Sequence, residues 1–396
     1  MANIEKTAVK RETVNMDIKQ FGMVFMLIVI YLAFAALTKG ATLAPANITN
    51  LVNQNGYVVI LATGMLLCCL TGNVDLGVGS LVALTGAVCG IMMIDNHQNM
   101  WVAIICALLV GIASGVFVGF FVAYLGIPPF ITTLATWLMW RGLTYTVLQA
   151  QTKGPFADDF KFIGSGFLPK VQIEVGGAPL DMVSIVVAII VSVLVVVAEL
   201  KDIATKKKYN LAQNPTWQIV LKDAVTIFII FFIFYKLGRN AGIPFVLIIL
   251  AVIVGIYHFI TSSTVAGRQI YALGGNRKAA NLSGIDTNKV FFWVYANSGL
   301  LAAVAGIVLC SRNASATPKA GDGFEMDAIA SCYIGGTAVA GGAGTVMGAV
   351  VGAFVMGVLN NGMSIYGWST DIQKVVKGAV LLLAVTFDLL SKRKKG

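Results

Sequence analysis

The sequence predicts an all-helical (all-α) polytopic membrane protein with about twelve membrane segments, some of them broken or re-entrant. Three observations carry that prediction. Apolar residues make up 58% of the 396 positions and charged residues only 12%, against an apolar share of about 45–50% in soluble domains. The mean hydropathy is +0.84. The apolar excess also lies in blocks, each near the roughly 20 residues that carry a helix across about 30 Å of hydrocarbon with its backbone groups paired internally.

Seven blocks read directly as spans: 21–38, 101–124, 183–199, 217–235, 242–260, 290–310 and 373–390. Five more, at 56–71, 76–94, 128–149, 325–340 and 344–361, carry Gly, Pro or charge and complete the twelve. Residues 1–20 are polar and precede a full-length apolar run without a cleavage pattern, so they read as a retained, solvated cytoplasmic segment. The transmembrane domain then covers 21–390, and residues 391–396 form a basic tail.

The formal charge of +10 is explained by where the bases lie. Sixteen of the 28 fall in four clusters, at Lys6–Lys19, Lys201–Lys208, Arg268–Lys289 and Lys392–Lys395. Six, two and four candidate spans separate consecutive clusters. All four therefore share one side, which the positive-inside rule makes the cytoplasm. Both termini are expected there and residues 151–181 on the opposite face. This distribution argues for membrane lipid, not nucleic acid, as the surrounding partner.

No constellation for covalent chemistry is present. The six cysteines form no C-x-x-C pair and read as small core residues, and His97 and His258 stand alone near span ends. "GGTAVAGGAGTVMG", Gly335 to Gly348, lacks the Gly-Lys-Ser/Thr ending of a phosphate loop. The expectation is a non-enzyme with no metal and no nucleotide site of its own.

Glycines recur every four residues at Gly111, Gly115 and Gly119 and at Gly344, Gly348 and Gly352, each set predicted to form a helix-packing seam on one face. Such a seam serves packing within one subunit or between two. Asp75, in "TGNVDLGVGS" with Asn73, interrupts two apolar runs. It is read as a cap on the following helix and as part of a polar notch on a translocation pathway. In "PPFITTLATWLMWRGL", Thr133, Thr136, Trp137 and Trp140 share helical spacing. Hydroxyls and indole faces of this kind suit a sugar path, and equally suit helix packing and interfacial belts. Arg141 reads as a snorkelling or helix-bridging charge.

The cytoplasmic loop 262–289 contains "GRQIYALGGNRKAANLSGIDTNK". Asn276 is predicted to cap a short helix "RKAANLS" that Gly284 ends. Ala279 and Leu282 would share its apolar face, with Arg277, Lys278 and Asn281 around it. Such a helix can enter a groove on a cytoplasmic partner or simply connect two spans.

"GRQIYALGGNRKAANLSGI" resembles the cytoplasmic coupling segment of permeases of monosaccharide ABC importers. "TGNVDLGVGS", "GIPPFITTLATWLMWRGL", "MDAIASCYIGGTAVAGGAGTVMGAVVGAFVMGVLNNGM" and "VVKGAVLLLAV" resemble segments of the same family in the same order. The resemblance covers most of residues 50–390. It implies a type II importer permease in the bacterial inner membrane, paired with a second permease copy. It also implies an ATPase subunit that binds ATP and Mg, and a periplasmic or extracellular sugar-binding protein. Gly274, Gly275, Asn276, Arg277, Ala279, Ala280, Leu282 and Gly284 would then lie in the ATPase-coupling element. An extra helix pair at about 183–240 departs from the roughly ten spans expected of the family and is similar to the larger xylose and multiple-monosaccharide permeases. The alternative function is an ion-coupled secondary sugar transporter, for which Asp75 would be the main coupling residue and Asp388 a second acid near a helix end.

Overall fold

The computed structural model describes residues 18–209 and 215–393. Most of the predicted segment 1–20, residues 210–214 of the basic loop and residues 394–396 of the tail lie outside them, as do the side chains of 387–393 and so that of Asp388.

Among the described residues there are fifteen α-helices and one small hairpin. The chain begins with α1 (Ile18–Leu37), α2 (Pro45–Leu70), α3 (Val78–Gly90), α4 (Met100–Ala123), α5 (Pro129–Leu148) and α6 (Asp158–Ser165). Strands β1 (Gln172–Val175) and β2 (Ala178–Asp181) follow, then α7 (Met182–Lys208), α8 (Thr216–Gly238), α9 (Phe245–Ser263), α10 (Val265–Gly275) and α11 (Arg277–Leu282). The last four are α12 (Thr287–Asn313), α13 (Phe324–Ile334), α14 (Val346–Tyr366) and α15 (Thr370–Arg393).

Among the described residues, eight helices are long and apolar enough to cross a membrane: α2, α3 with the π-helical turn Ile91–Asp95, α4, α7, α8, α9, α12 and α14. The apolar part of α1 is shorter, Gly22–Leu37. Two expectations are corrected. The 325–340 block forms only the eleven-residue α13, about 16 Å long, too short to cross about 30 Å alone. It stops because Gly335 ends the helix and Gly336, Gly341, Gly342 and Gly344 all take positive φ, which frees the backbone to turn. The 56–71 block begins at Pro45 instead. Asn47 and Asn361 exchange amide hydrogen bonds of 2.9 and 3.0 Å, so amides that lower the hydropathy are satisfied inside the protein.

The described residues form two compact units, one within 23–168 and 244–393 and one within 18–22, 169–209 and 215–243. In the first, α2, α3, α12 and α14 are the buried helices, with 83, 67, 72 and 72% of their apolar windows covered. Gly111, Gly115 and Gly119 of α4 lie on α12, where a Cβ would come within 2.4 Å of Ala303, 2.5 Å of the Tyr295 carbonyl and 2.8 Å of the Phe292 carbonyl. The face thus packs within one chain, with backbones closer than side chains permit. The second seam is corrected at one position. Gly348 faces the carbonyl of Gly335, the C-cap of α13, and Gly352 that of Ser331 in α13, but Gly344 precedes α14. Thr345 caps that helix by accepting from the Gly348 N–H at 3.0 Å, and Gly344, at φ 152°, packs on Thr337.

A hydrophobic cluster ties α6 to α3, α4 and α12 through Cys89, Ala107, Phe156, Phe160, Ile307 and Cys310. The Ser311 hydroxyl donates to the Phe160 carbonyl and accepts from the Gly164 N–H, at 2.5 and 2.8 Å. In α6, a hydrogen bond and the charge of Lys161 hold the exposed Asp158 carboxyl below the ordinary carboxylate range. Five of the six cysteines are buried, as small core residues are.

In the unit of residues 169–243, α7 and α8 pack on each other, and only 17 and 6% of their apolar windows are covered. Helices this apolar with faces left open need lipid around them. Asp181 caps α7, accepting from the Val183 and Ser184 N–H groups, and Lys222 of α8 bridges Glu199 of α7 at 2.5 Å. The β1–β2 hairpin, which the all-helical expectation lacked, turns through Gly176 and Gly177 at φ 63° and 73°. Two successive positive φ values are what a two-residue primed turn requires.

Candidate functional site

Two groups of residues answer to the sequence-based site, one at the α10–α11 segment and one at the break between α2 and α3. Thr264 caps α10 by accepting from the Gly267 N–H. Ile270 and Leu273 bury its inner face. At its end, Gly274 meets the main chain of two other elements: a Cβ there would sit 1.7 Å from the Leu70 carbonyl and 2.6 Å from the Gly342 nitrogen. The Gly342 N–H itself donates to the Leu70 carbonyl at 2.8 Å, and the Tyr271 hydroxyl donates to the Gly344 carbonyl at 2.7 Å. Gly274 is therefore a contact inside the protein, whereas Gly275 is exposed with open space where a Cβ would lie.

Asn276 caps α11 as its position predicts, accepting from the Ala279 N–H at 3.0 Å. Gly284, at φ 84°, ends it. The Gly284 N–H donates to the Asn281 carbonyl and the Ile285 N–H to the Ala280 carbonyl, the paired bonds of a Schellman end. One detail of the predicted face changes. Ala280 is the buried anchor, while Ala279 is exposed and Leu282 is 90% exposed. The apolar side chain thus points away from the protein, held by a six-residue helix fixed at both ends. Arg277 lies over the Phe291 ring at 4.9 Å and Lys278 is exposed, so the surroundings of Leu282 are cationic.

At the α2–α3 break, Asp75 is buried. One carboxylate oxygen accepts from the Gly77 N–H at 2.9 Å and the other from the Ser298 hydroxyl of α12 at 2.7 Å. The capping expectation is corrected: the N-cap of α3 is Gly77, which has no side-chain cap, and Asp75 accepts from the N–H of that N-cap residue, so it holds the turn ahead of the helix and not its first turn. Asn73, half-buried, donates to the Thr71 carbonyl at 3.1 Å. Thr133 and Thr136 are buried on the α5 face that covers this break, with the Thr136 hydroxyl 3.0 Å from where a Gly77 Cβ would lie. Their hydroxyls donate to carbonyls of their own helix, Thr133 to Phe130 and Thr136 to Thr132 and Thr133. Trp137 is half-buried, and Trp140 sets its edge against Phe117 of α4 at 5.8 Å. The fold thus gathers Asp75, Thr133 and Thr136, and gives Trp140 a packing partner on another helix.

The same interior holds further charges, of which the sequence reading passed over Glu325 and Asp327. Arg141 bridges α5 to the 318–320 loop, donating to the Pro318 and Ala320 carbonyls at 2.8 and 2.6 Å. Glu325 is buried against Gly79, where a Cβ would lie 2.2 Å from its carboxylate. Asp327 pairs with Lys377 of α15 at 3.0 Å and accepts from Asn360 at 3.3 Å. The available signal was an acid beside an apolar run in "FEMDAIAS", since ionisable groups at membrane depth are rare without a role.

Comparison with known proteins agrees with this architecture. A family described as "Branched-chain amino acid transport system / permease component" matches residues 47–201 and 178–385. The xylose transport system permease protein XylH of Escherichia coli (strain K12) is 36% identical over 380 residues, 96% of this chain and 94% of that protein. Its namesake from Haemophilus influenzae is 34% identical over 97 and 99% of the two chains. The ribose import permease protein RbsC of Escherichia coli (strain K12) is 33% identical over 86 and 85%. No solved structure matches the chain significantly. The resemblance expected from the motifs is shown at nearly full length. The chain belongs to the family of ABC-importer permease components that includes the monosaccharide permeases, and it is a multi-pass transport subunit rather than an enzyme.

Proposed function

We propose that this chain forms the translocation pathway of an ATP-driven importer for a xylose-like monosaccharide, delivered by an external binding protein. In this reading it is a type II importer permease of about twelve segments in the bacterial inner membrane, with both termini cytoplasmic. It pairs with a second copy of itself and leaves ATP and Mg to a partner ATPase. The substrate assignment rests on the relatives' identities, since the family description names amino acids and the xylose and ribose permeases match almost the whole chain.

The observation that carries the mechanism is the α11 unit. Leu282, 90% exposed on a doubly capped helix, offers an apolar knob whose burial in a partner groove contributes about 2 kcal/mol, with Arg277 and Lys278 selecting an acidic rim. Behind the knob, the backbone contact of Gly274 with Leu70 and Gly342 leads to the α2–α3 break, whose Asp75 holds α12 through Ser298. Movement of an ATPase gripping α11 would reach the break through rigid backbone contacts, favouring one of two permease arrangements in each nucleotide state.

The test is uptake of labelled xylose, ribose, galactose and arabinose into proteoliposomes holding this chain with and without its ATPase and binding protein. Accumulation of unchanged sugar only with all three components and ATP is expected. Uptake by this chain alone under an ion gradient would instead make it a secondary transporter. Leu282→Asp and Ala279→Glu should insert normally yet lose ATPase association, and full assembly and uptake by both would sink the docking role.

A further inference from the structure

Between α2, α12 and α14 lies a cavity of about 150 Å³ lined by Gln54, Asn55, Tyr57, Arg312, Gly357 and Asn360, among others. Its polar atoms are left open in a pattern that points to a ligand. Asn55 is only 2% exposed, and its amide nitrogen donates to the Ala353 carbonyl at 2.9 Å, yet its carbonyl oxygen has no partner. It has little room to turn aside. Gly357 lies so close beneath the amide that a Cβ would be 2.4–2.6 Å from its atoms. Asn360 repeats the arrangement: its nitrogen donates to Asp327, itself held by Lys377, and its buried oxygen is unpartnered. A buried acceptor left unpaired costs about 1–3 kcal/mol, so two of them lining one cavity call for a donor.

The same cavity supplies the opposite function. Arg312 contributes N–H donors and, among the described residues, takes part in no salt bridge. The Tyr57 ring is stacked on Phe324, centroids 4.1 Å apart, which fixes the wall it forms. None of the lining residues is a carboxylate. Fixed acceptors beside the Arg312 donor fit a group that both donates and accepts, which is a hydroxyl. An anion would meet the two amide oxygens, and a cation would meet Arg312. The volume is on the order of five water molecules' share of liquid, suited to one sugar ring.

We propose that this cavity is a sugar-hydroxyl subsite within the permease, taking a neutral monosaccharide on its way through the membrane, with Asn55 and Asn360 accepting from its hydroxyls and Arg312 donating to them. This rests on the importer reading above and adds the residues that would touch the cargo. The experiment uses the complete importer in proteoliposomes with labelled xylose, a deoxypentose and a sugar acid. Wild type, Asn55→Ala, Asn360→Ala and Arg312→Gln are compared for maximal uptake, ATPase assembly and ATP hydrolysis stimulated by the binding protein. Each variant is expected to lower xylose uptake about tenfold and to narrow the preference for xylose over the deoxypentose, with assembly and hydrolysis kept. Should Asn55→Ala fail to assemble, the other two decide, because Asn360 and Arg312 lie on the partly exposed wall. Uptake and preference unchanged in Asn360→Ala and Arg312→Gln would overturn the subsite and leave a cavity holding water. Carriage of the sugar acid in place of xylose would overturn its neutral specificity. Absence of any ATP-driven sugar uptake by the wild type would overturn the importer reading itself.

Discussion

The Ser298 hydroxyl donates to the buried Asp75 carboxylate at 2.7 Å, joining α12 to the break between α2 and α3. Ser298→Ala leaves one oxygen of a buried carboxylate without a partner, at a cost of about 1–3 kcal/mol. The thermal midpoint of the purified permease in detergent is expected to fall, and less so in Ser298→Thr if the hydroxyl is retained in place. A midpoint unmoved by Ser298→Ala would mean that this bond does not hold the break.

Adjacent glycines at the end of α10 should behave in opposite ways. A Cβ on Gly274 would overlap the Leu70 carbonyl, whereas one on Gly275 meets nothing within 4 Å. Gly274→Ala is expected to destabilise by at least about 1–3 kcal/mol through overpacking and to abolish uptake. Gly275→Ala should stay within about 0.5 kcal/mol. Unfolding midpoints and uptake measured side by side check the contrast, and equal behaviour would refute the contact.

The two ends of α11 can be loosened separately. Asn276→Ala removes the cap on the Ala279 N–H, worth about 1 kcal/mol. Gly284→Ala puts a side chain where φ is 84°, costing about 1 kcal/mol. Hydrogen exchange should report both as faster exchange of the Ile285 amide, which bonds the Ala280 carbonyl. Unchanged protection in both variants would show that the helix does not depend on these ends.

Gly115 should tolerate no side chain. The Tyr295 and Ala296 carbonyls lie 2.5 and 2.8 Å from its would-be Cβ. Gly115→Val is expected to prevent recovery of folded, monodisperse protein, while Gly142→Ala, in open space on α5, should be recovered like the wild type. Size-exclusion profiles of the two variants make the comparison.

Local rules made part of this legible in the sequence. Apolar blocks revealed most spans because a lipid-exposed helix has to advertise itself in composition, and Asn276 and Gly284 marked α11 because caps depend on neighbouring residues alone. Two errors came from reading one rule past its end. Gly344 kept the four-residue spacing but stands ahead of the Thr345 cap, and the alternating "QIEV" before Gly176–Gly177 was a hairpin signal that the hydropathy of its surroundings outweighed. What no local rule reaches is the pairing of distant polar groups. Asn55 with Gly357, Asp75 with Ser298 and Arg141 with the 318–320 loop lie far apart in the chain, and their partners become visible only when helices cross.

The contact of Gly274 with Leu70 and Gly342 is made of main chain, while the surface of α11 is made of Arg277, Lys278, Ala279 and Leu282 side chains. In the proposed docking role, recognition and transmission would therefore fall to different parts of the polypeptide. Grafting another permease's α11 surface onto this chain is then expected to change which ATPase it binds while leaving the main-chain contact behind it intact.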